Sequence, residues 1–319
     1  MQSNVTEELN QKIKQIIDEV EKVIVGKRDV VKMLVIALLS GGHVLIEDVP
    51  GVGKTTLATA LSKATGLKYR RAQFTPDVMA SDITGFTVYN KDTGDFEYRP
   101  GMVMCNILLA DEINRTSPKT QSALLEAMEE QNVTVDNETY RLPSPFMVIA
   151  TQNELGFVGT YPLPEAQLDR FLMKISVGYP TLEQEVSIIT SRQTADPLKN
   201  VSAICSKADI VSCMEAVQYV NIEQSVYRYI VQLVSSTRGH KAVLLGASPR
   251  ASLLLMRASQ ACAFLSGRSY VTPEDVLRMT PFVLEHRIQL TQDAKVRKIS
   301  ELAVLREIAK SITPPYHRE

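Results

Sequence analysis

The chain has 319 residues, 45% of them hydrophobic and 22% charged, with a net charge of −1 and a sequence pI of about 6.5. This is an ordinary globular composition with room for two domains, and it carries no bulk basic charge suited to nucleic acid or an anionic membrane. The four cysteines (Cys105, Cys205, Cys213, Cys262) form no C-x-x-C pair, MQSNVTEELNQK has no apolar signal core, and the longest apolar run, Met33 to Leu39, is too short to span a bilayer, so a soluble cytoplasmic protein is expected.

Residues 7 to 39 read as mostly helical, interrupted at Val25-Gly26. Val44-Leu45-Ile46 is short, β-branched and apolar, as a buried parallel strand would be. It runs into EDVPGVGKTT, after which Leu57, Leu61 and Ala64 recur at helical spacing and Gly66 offers a stop. Ile107 to Ala110 predicts a second strand, and Thr116-Ser117-Pro118 an N-cap with Pro at the first helical position. Phe146 to Ala150 and Phe171 to Val177 predict a third and a fourth strand. This alternation argues for a doubly wound α/β layer. Two hairpins are predicted inside it. ITGFTVYNKDTGDFEYRP turns at Asn-Lys-Asp-Thr-Gly, and NVTVDNETYRL turns at Asp136-Asn137. Gly178-Tyr179-Pro180-Thr181 breaks the pattern. Beyond it only helical periodicity is read, over 182–195, 207–219, 223–237, 249–265, 273–285 and a late run at 293–311. The predicted organisation is an α/β domain at 1–179 and an all-α domain at 180–319.

Chemistry concentrates in the first domain. The phosphate-loop pattern G-x-x-x-x-G-K-[ST] fits Gly53, Lys54 and Thr55, but Asp48 stands where its first glycine belongs. The strand-loop-helix context favours a nucleotide site, because a helix N-terminus offers free N–H groups and the positive end of its dipole to phosphate. Gly51 and Gly53 allow close backbone approach, and Asp tolerates unusual turn dihedrals better than most residues. Asp111-Glu112 follows directly on an apolar strand, facing the crevice where ligands bind such sheets. Asp111 suits Mg²⁺ with the Thr55 hydroxyl, and Glu112 suits a general base for water. Asn153 ends the third strand, where it either orients water near the γ-phosphate or simply forms a turn. Arg170 in PEAQLDRF and Arg250 in GASPRASLLLM are candidate partners for a transferring phosphate, with Arg115 a weaker third.

With EDVPGVGKTT, the segments LADEINRTSPKTQSALLEAMEE, IATQNE, YPLPEAQLDRF and GASPRA make the chain resemble the MoxR family of AAA+ ATPases, from about Val23 to Leu284. The resemblance implies an αβα ATPase core, a helical lid, and ATP and Mg²⁺ as ligands. It implies nucleotide contacts from Val25, Gly26, Gly51, Val52, Gly53, Lys54, Thr55 and Thr56. Asp111 and Glu112 match Walker B, Asn153 sensor 1, Arg170 the arginine finger and Arg250 sensor 2. It further implies a homo-oligomeric ring, usually hexameric, acting on protein partners that often carry von Willebrand factor A domains. The alternative is a nucleic-acid translocating motor, whose hairpins should present Lys or Arg. Here the turns carry Lys91 against Asp92 and Asp95, and Asp136 with Glu138, which argues for protein. A non-hydrolysing switch would lack Asp-Glu or the finger, and both are present.

Overall fold

A computed structural model describes residues 2–152, 161–193 and 196–315, with side chains from residue 7 onward. Two helices, α1 (Gln2–Glu21) and α2 (Arg28–Leu39), precede strand β1 (Val44–Glu47) and helix α3 (Lys54–Thr65). Strand β2 (Tyr69–Gln73) and a short α4 (Ala80–Thr84) lead to a hairpin, β3 (Gly85–Tyr89) and β4 (Phe96–Pro100). Strand β5 (Ile107–Asp111), helix α5 (Pro118–Glu130), a second hairpin of β6 (Asn132–Val135) and β7 (Glu138–Arg141), and β8 (Met147–Gln152) follow. A one-turn α6 (Glu165–Leu168) and β9 (Met173–Ile175) complete the α/β layer. The remainder is α7 (Leu182–Arg192), α8 (Lys207–Gln218), α9 (Gln224–Gly239), β10 (Val243–Leu245), α10 (Pro249–Leu265), α11 (Pro273–Leu284), β11 (Gln289–Leu290), α12 (Gln292–Val296) and α13 (Glu301–Ser311).

The main sheet has the order β2-β5-β8-β1-β9 and is parallel throughout. Its side chains alternate between two cores, as a period of two requires. Leu45, Leu108, Val148 and Ala150 face the cluster built with α5, including Leu124 and Met128. Val44, Ile46, Ile107, Leu109 and Ile149 face the other way. The core on that side runs without interruption through α1, α2 and α3 into α8, α9, α10, α11 and α13. The N-terminal helices are thus sandwiched between the sheet and the C-terminal helices. Lys12 pairs with Asp209 at 3.0 Å, and the Asn10 side chain donates to the Phe264 carbonyl.

The four predicted strands form, and a fifth, β2, joins them at the edge. Its sequence YRRAQ is too polar to read as a strand, because an edge strand has one flank in solvent. Both hairpins form with the expected turns, and Asp136 and Asn137 take left-handed φ of 48° and 69° as a two-residue turn demands. Ser117 caps α5 by accepting from Thr120 N–H, with Pro118 in the first turn. The C-terminal part is helical as expected, with one addition, the antiparallel ribbon of β10 and β11. The late helical run is two helices, α12 and α13, separated by a turn in which Lys298 has φ 55°.

Candidate active site

The turn from β1 into α3 takes its shape from two glycines. Gly51 and Gly53 have φ of 88° and 89°, and a Cβ at either would meet nothing within 4 Å. Glycine is therefore needed there for its dihedral freedom and not for room. Helix α3 opens at Lys54 behind Gly53, whose lack of a side chain means the N-cap residue supplies no side-chain cap, as suits a helix N-terminus that binds an anion. Asp48 does not take a left-handed φ; among the described residues the non-glycines that do are Glu112, Gln131, Asp136, Asn137 and Lys298. The position of the missing glycine thus needs no special backbone. Instead the Asp48 carboxylate is buried and accepts four hydrogen bonds. Val49 N–H donates to Oδ1 at 2.9 Å. Ser176 Oγ, Val177 N–H and Gly178 N–H donate to Oδ2 at 3.0, 2.6 and 2.7 Å. Burial alone would raise its pKa, but these donors outweigh burial and hold it below the usual carboxylate value.

A cavity of about 430 Å³ opens over this turn. Gly51, Val52, Gly53, Lys54, Thr55 and Thr56 form its floor, Asp111 and Glu112 one wall, and Val25 and Lys27 another. Gly178, Pro180, Ile188 and Arg192 close it from the segment that leads into and through α7. Gly26 shapes the α1–α2 turn with φ 70° and does not itself line the cavity. Lys54 is buried, and its ammonium donates to the Asp48 carbonyl at 3.0 Å. Burial lowers its pKa, against the attraction of Asp48, Asp111 and Glu112.

Asp111 ends β5 with both oxygens engaged, by Thr151 Oγ1 at 2.7 Å and by Arg71 at 2.7 Å. Thr151 also accepts from Glu112 N–H at 2.9 Å, so one hydroxyl sets both acidic residues. Glu112 sits in left-handed backbone, φ 57°, uncommon for a non-glycine and often found where a side chain must be aimed. Its Oε2 accepts from Gln73 at 3.0 Å and from Arg115 at 2.8 Å. Arg115 is therefore tied to the acid of its own chain.

Arg170 and Arg250 do not line this cavity. They meet elsewhere, on one carboxylate: Glu129 at the end of α5 binds Arg170 at 2.5 Å and Arg250 at 2.7 Å. Arg170 also donates to the Leu125 carbonyl at 3.0 Å. The segment carrying Arg170 is gripped from the C-terminal helices by Arg287, whose buried guanidinium holds Asp169 at 2.8 Å and the carbonyls of Asp169, Phe171 and Leu172. Burial pushes the Arg287 pKa down to about 10, with Asp169 opposing. Ser248, two residues before Arg250, donates to the same Asp169 at 3.2 Å. Asn153 lies outside the described residues.

Sequence reasoning missed Arg71, Thr151 and Arg192. Arg71 sits on the unread strand. Arg192 reaches the cavity only through the reversal of the chain at Gly178. Thr151 could have been found, being two residues before Asn153 on a strand already assigned.

A parallel sheet with a glycine turn at the end of one strand, an Asp-Glu pair at the end of its neighbour and a helical continuation defines a nucleotide-binding ATPase fold of the AAA class. Residues 43–173 match the ATPase family associated with various cellular activities (AAA), and residues 235–308 match the AAA lid domain. The chain is 49% identical over 312 residues to the uncharacterized protein YeaC of Bacillus subtilis, covering 98% of each. It is 41% identical to chaperone MoxR1 of Mycobacterium tuberculosis, over 95% of this chain and 82% of that one. A crystal structure from Cytophaga hutchinsonii, assigned as a candidate ATPase, superposes with a TM-score of 0.91 at 40% identity, over 98% of both chains. The chain belongs to the MoxR family of AAA+ ATPases.

Proposed function

We propose that the chain hydrolyses Mg-ATP as one subunit of a ring, hexameric in the simplest case, and uses the turnover to remodel or mature protein partners in the cytoplasm. In this reading residues 1–179 act as the nucleotide-binding core and 180–319 as the lid. The observation that carries it is the convergence of the glycine turn, Lys54, Thr55, Asp111 and Glu112 on one cavity. The loop N–H groups and Lys54 hold the phosphates. Glu112 takes the proton of the attacking water. Mg²⁺, when bound, would be held by Thr55 and Asp111 and would neutralise charge on the phosphate oxygens. Asp111 fits that task even with its present partners, since a carboxylate offers about four lone-pair sites. Among the described residues no group of three His, Cys, Asp or Glu is placed to hold a metal ion.

A protein partner is supported by the first hairpin. Tyr89 and Phe96 pack edge to face and are exposed beside its acidic tip, a surface that suits an apolar polypeptide better than a phosphate backbone. A von Willebrand factor A domain is the partner type to try first. Among the described residues no helix is long and apolar enough to cross a membrane. The test is ATP turnover by the purified chain with and without Mg²⁺, beside Lys54→Ala. Metal-dependent hydrolysis that Lys54→Ala abolishes supports the reading. Turnover that survives Lys54→Ala, or steeply salt-dependent DNA binding tighter than micromolar, defeats it.

A further inference from the structure

Asp48 is where the chain departs from the phosphate-loop pattern, and its surroundings give the departure a purpose. Its carbonyl accepts from Lys54, the residue that reaches for phosphate. Its carboxylate accepts from Ser176, Val177 and Gly178, the segment between β9 and α7. That segment continues through Gly178 and Pro180 into Ile188 and Arg192, which wall the cavity. The same segment is tied to the wall formed by Val25 and Lys27, since Lys27 Nζ donates to the Tyr179 carbonyl at 2.8 Å. One residue thus touches the phosphate-binding lysine with its main chain and the route into the C-terminal helices with its side chain. A glycine here would satisfy the consensus and leave four donors without their acceptor, three of them on the 176–178 segment.

We propose that Asp48 is a positioning residue that joins the phosphate loop to the 176–178 segment, so that contact with phosphate and placement of α7 over the nucleotide move together. The inference rests on the ATP reading above. It makes a counter-intuitive claim: Asp48→Gly, which restores the consensus motif, yields a worse enzyme. Binding contacts of the loop itself are retained, so ATP affinity changes by no more than a few-fold. Misplacement of α7 lowers kcat, by roughly tenfold on the scale seen when a positioning contact is lost. Asp48→Asn, which keeps one oxygen for the segment, falls between. Ser176→Ala leaves the loop untouched and removes one donor, giving a smaller effect of the same sign.

The experiment combines steady-state kinetics, calorimetric binding of a non-hydrolysable ATP analogue, and hydrogen–deuterium exchange with and without that analogue. In the wild type the analogue slows exchange both at 51–56 and at 176–192. In Asp48→Gly it slows exchange at 51–56 only, and kcat drops while affinity holds. A merely structural role would lower the melting temperature without separating these two responses. Wild-type kcat together with wild-type protection of 176–192 in Asp48→Gly overturns the proposal. If that variant does not fold, the same result in Ser176→Ala overturns it. A wild type that shows no protection at 51–56 fails differently, because it removes nucleotide binding itself.

Discussion

Two regions of this molecule handle positive charge in opposite ways. Around the phosphate loop, Lys54 is buried beneath a cavity, faces Asp111 and Glu112 and lies beside uncapped helix N–H groups. Around Glu129, two guanidiniums share one carboxylate at a half-exposed surface outside that cavity. On the function proposed above, the first region would receive phosphate and the second would present charge. Within one subunit neither arginine lines the cavity, and the proposed ring would bring such a pair to a neighbour's nucleotide.

The sharpest way to break the comparison is Arg170→Ala. A guanidinium supplied in trans contributes a factor on the order of 10³ to 10⁵ in phosphoryl transfer, so turnover should fall by that order with ATP binding nearly intact. Mixing with Lys54→Ala subunits, which keep Arg170, should restore part of the rate. If the mixture stays inactive despite proven co-assembly, the two halves do not belong to neighbouring subunits. Next in size, Glu112→Gln should bind ATP normally while losing about 10²- to 10⁴-fold in turnover as its general base is removed. An equal loss of ATP affinity by calorimetry would reassign Glu112 to binding.

The two regions are joined at His43, just ahead of β1. Its Nδ1 accepts from Val148 N–H at 3.0 Å and its Nε2 donates to the Met128 carbonyl at 3.0 Å, one residue from Glu129. Burial, with the charge of Arg250, lowers its pKa from 6.5 to about 4, against the Met128 bond. The unfolded chain therefore takes up a proton in that window which the fold excludes. Stability should be full above 6.5 and fall as pH drops toward 4, by about 3 kcal/mol over the range. Buried His286, also lowered well below its ordinary value, adds in the same direction. Denaturant unfolding at several pH values measures the slope, which His43→Gln should flatten; an unchanged slope would clear His43. The smallest expected effect is at Glu129. Glu129→Gln should lower turnover by about tenfold without changing ATP affinity, because both arginines lose a common anchor. Wild-type turnover there would mean that the arginines are placed by Arg287 and Leu125 alone.

The parts of the fold and site that were legible are those written in consecutive residues. β1, β5 and β8 are apolar runs because both faces are covered, and the glycine turn and Asp111-Glu112 each sit at the end of such a run; β9, at the other edge, was legible from the apolar residues flanking Lys174. β2 was not legible because an edge strand tolerates Arg70 and Arg71, and with it went the Arg71–Asp111 pair. The sharing of Glu129 by Arg170 and Arg250 joins residues 41 and 121 positions away and leaves no local pattern. Asp48 was visible as an oddity, but its three acceptor contacts to 176–178 depend on β9 pairing beside β1.

The unbroken core that unites α1 and α2 with the C-terminal helices has a consequence for how the protein is made. Ile13, Ile16 and Ile17 belong to a core completed by Ile210, Cys213 and Ala261, and the Lys12–Asp209 pair closes over a span of 197 residues. At the usual pace of synthesis, about 5 to 20 residues per second, the first helix waits on the order of 10 to 40 s for its cover to leave the ribosome. During that interval the nascent chain exposes the apolar face of α1, and α8 and α10, translated much later, are the helices that hide it.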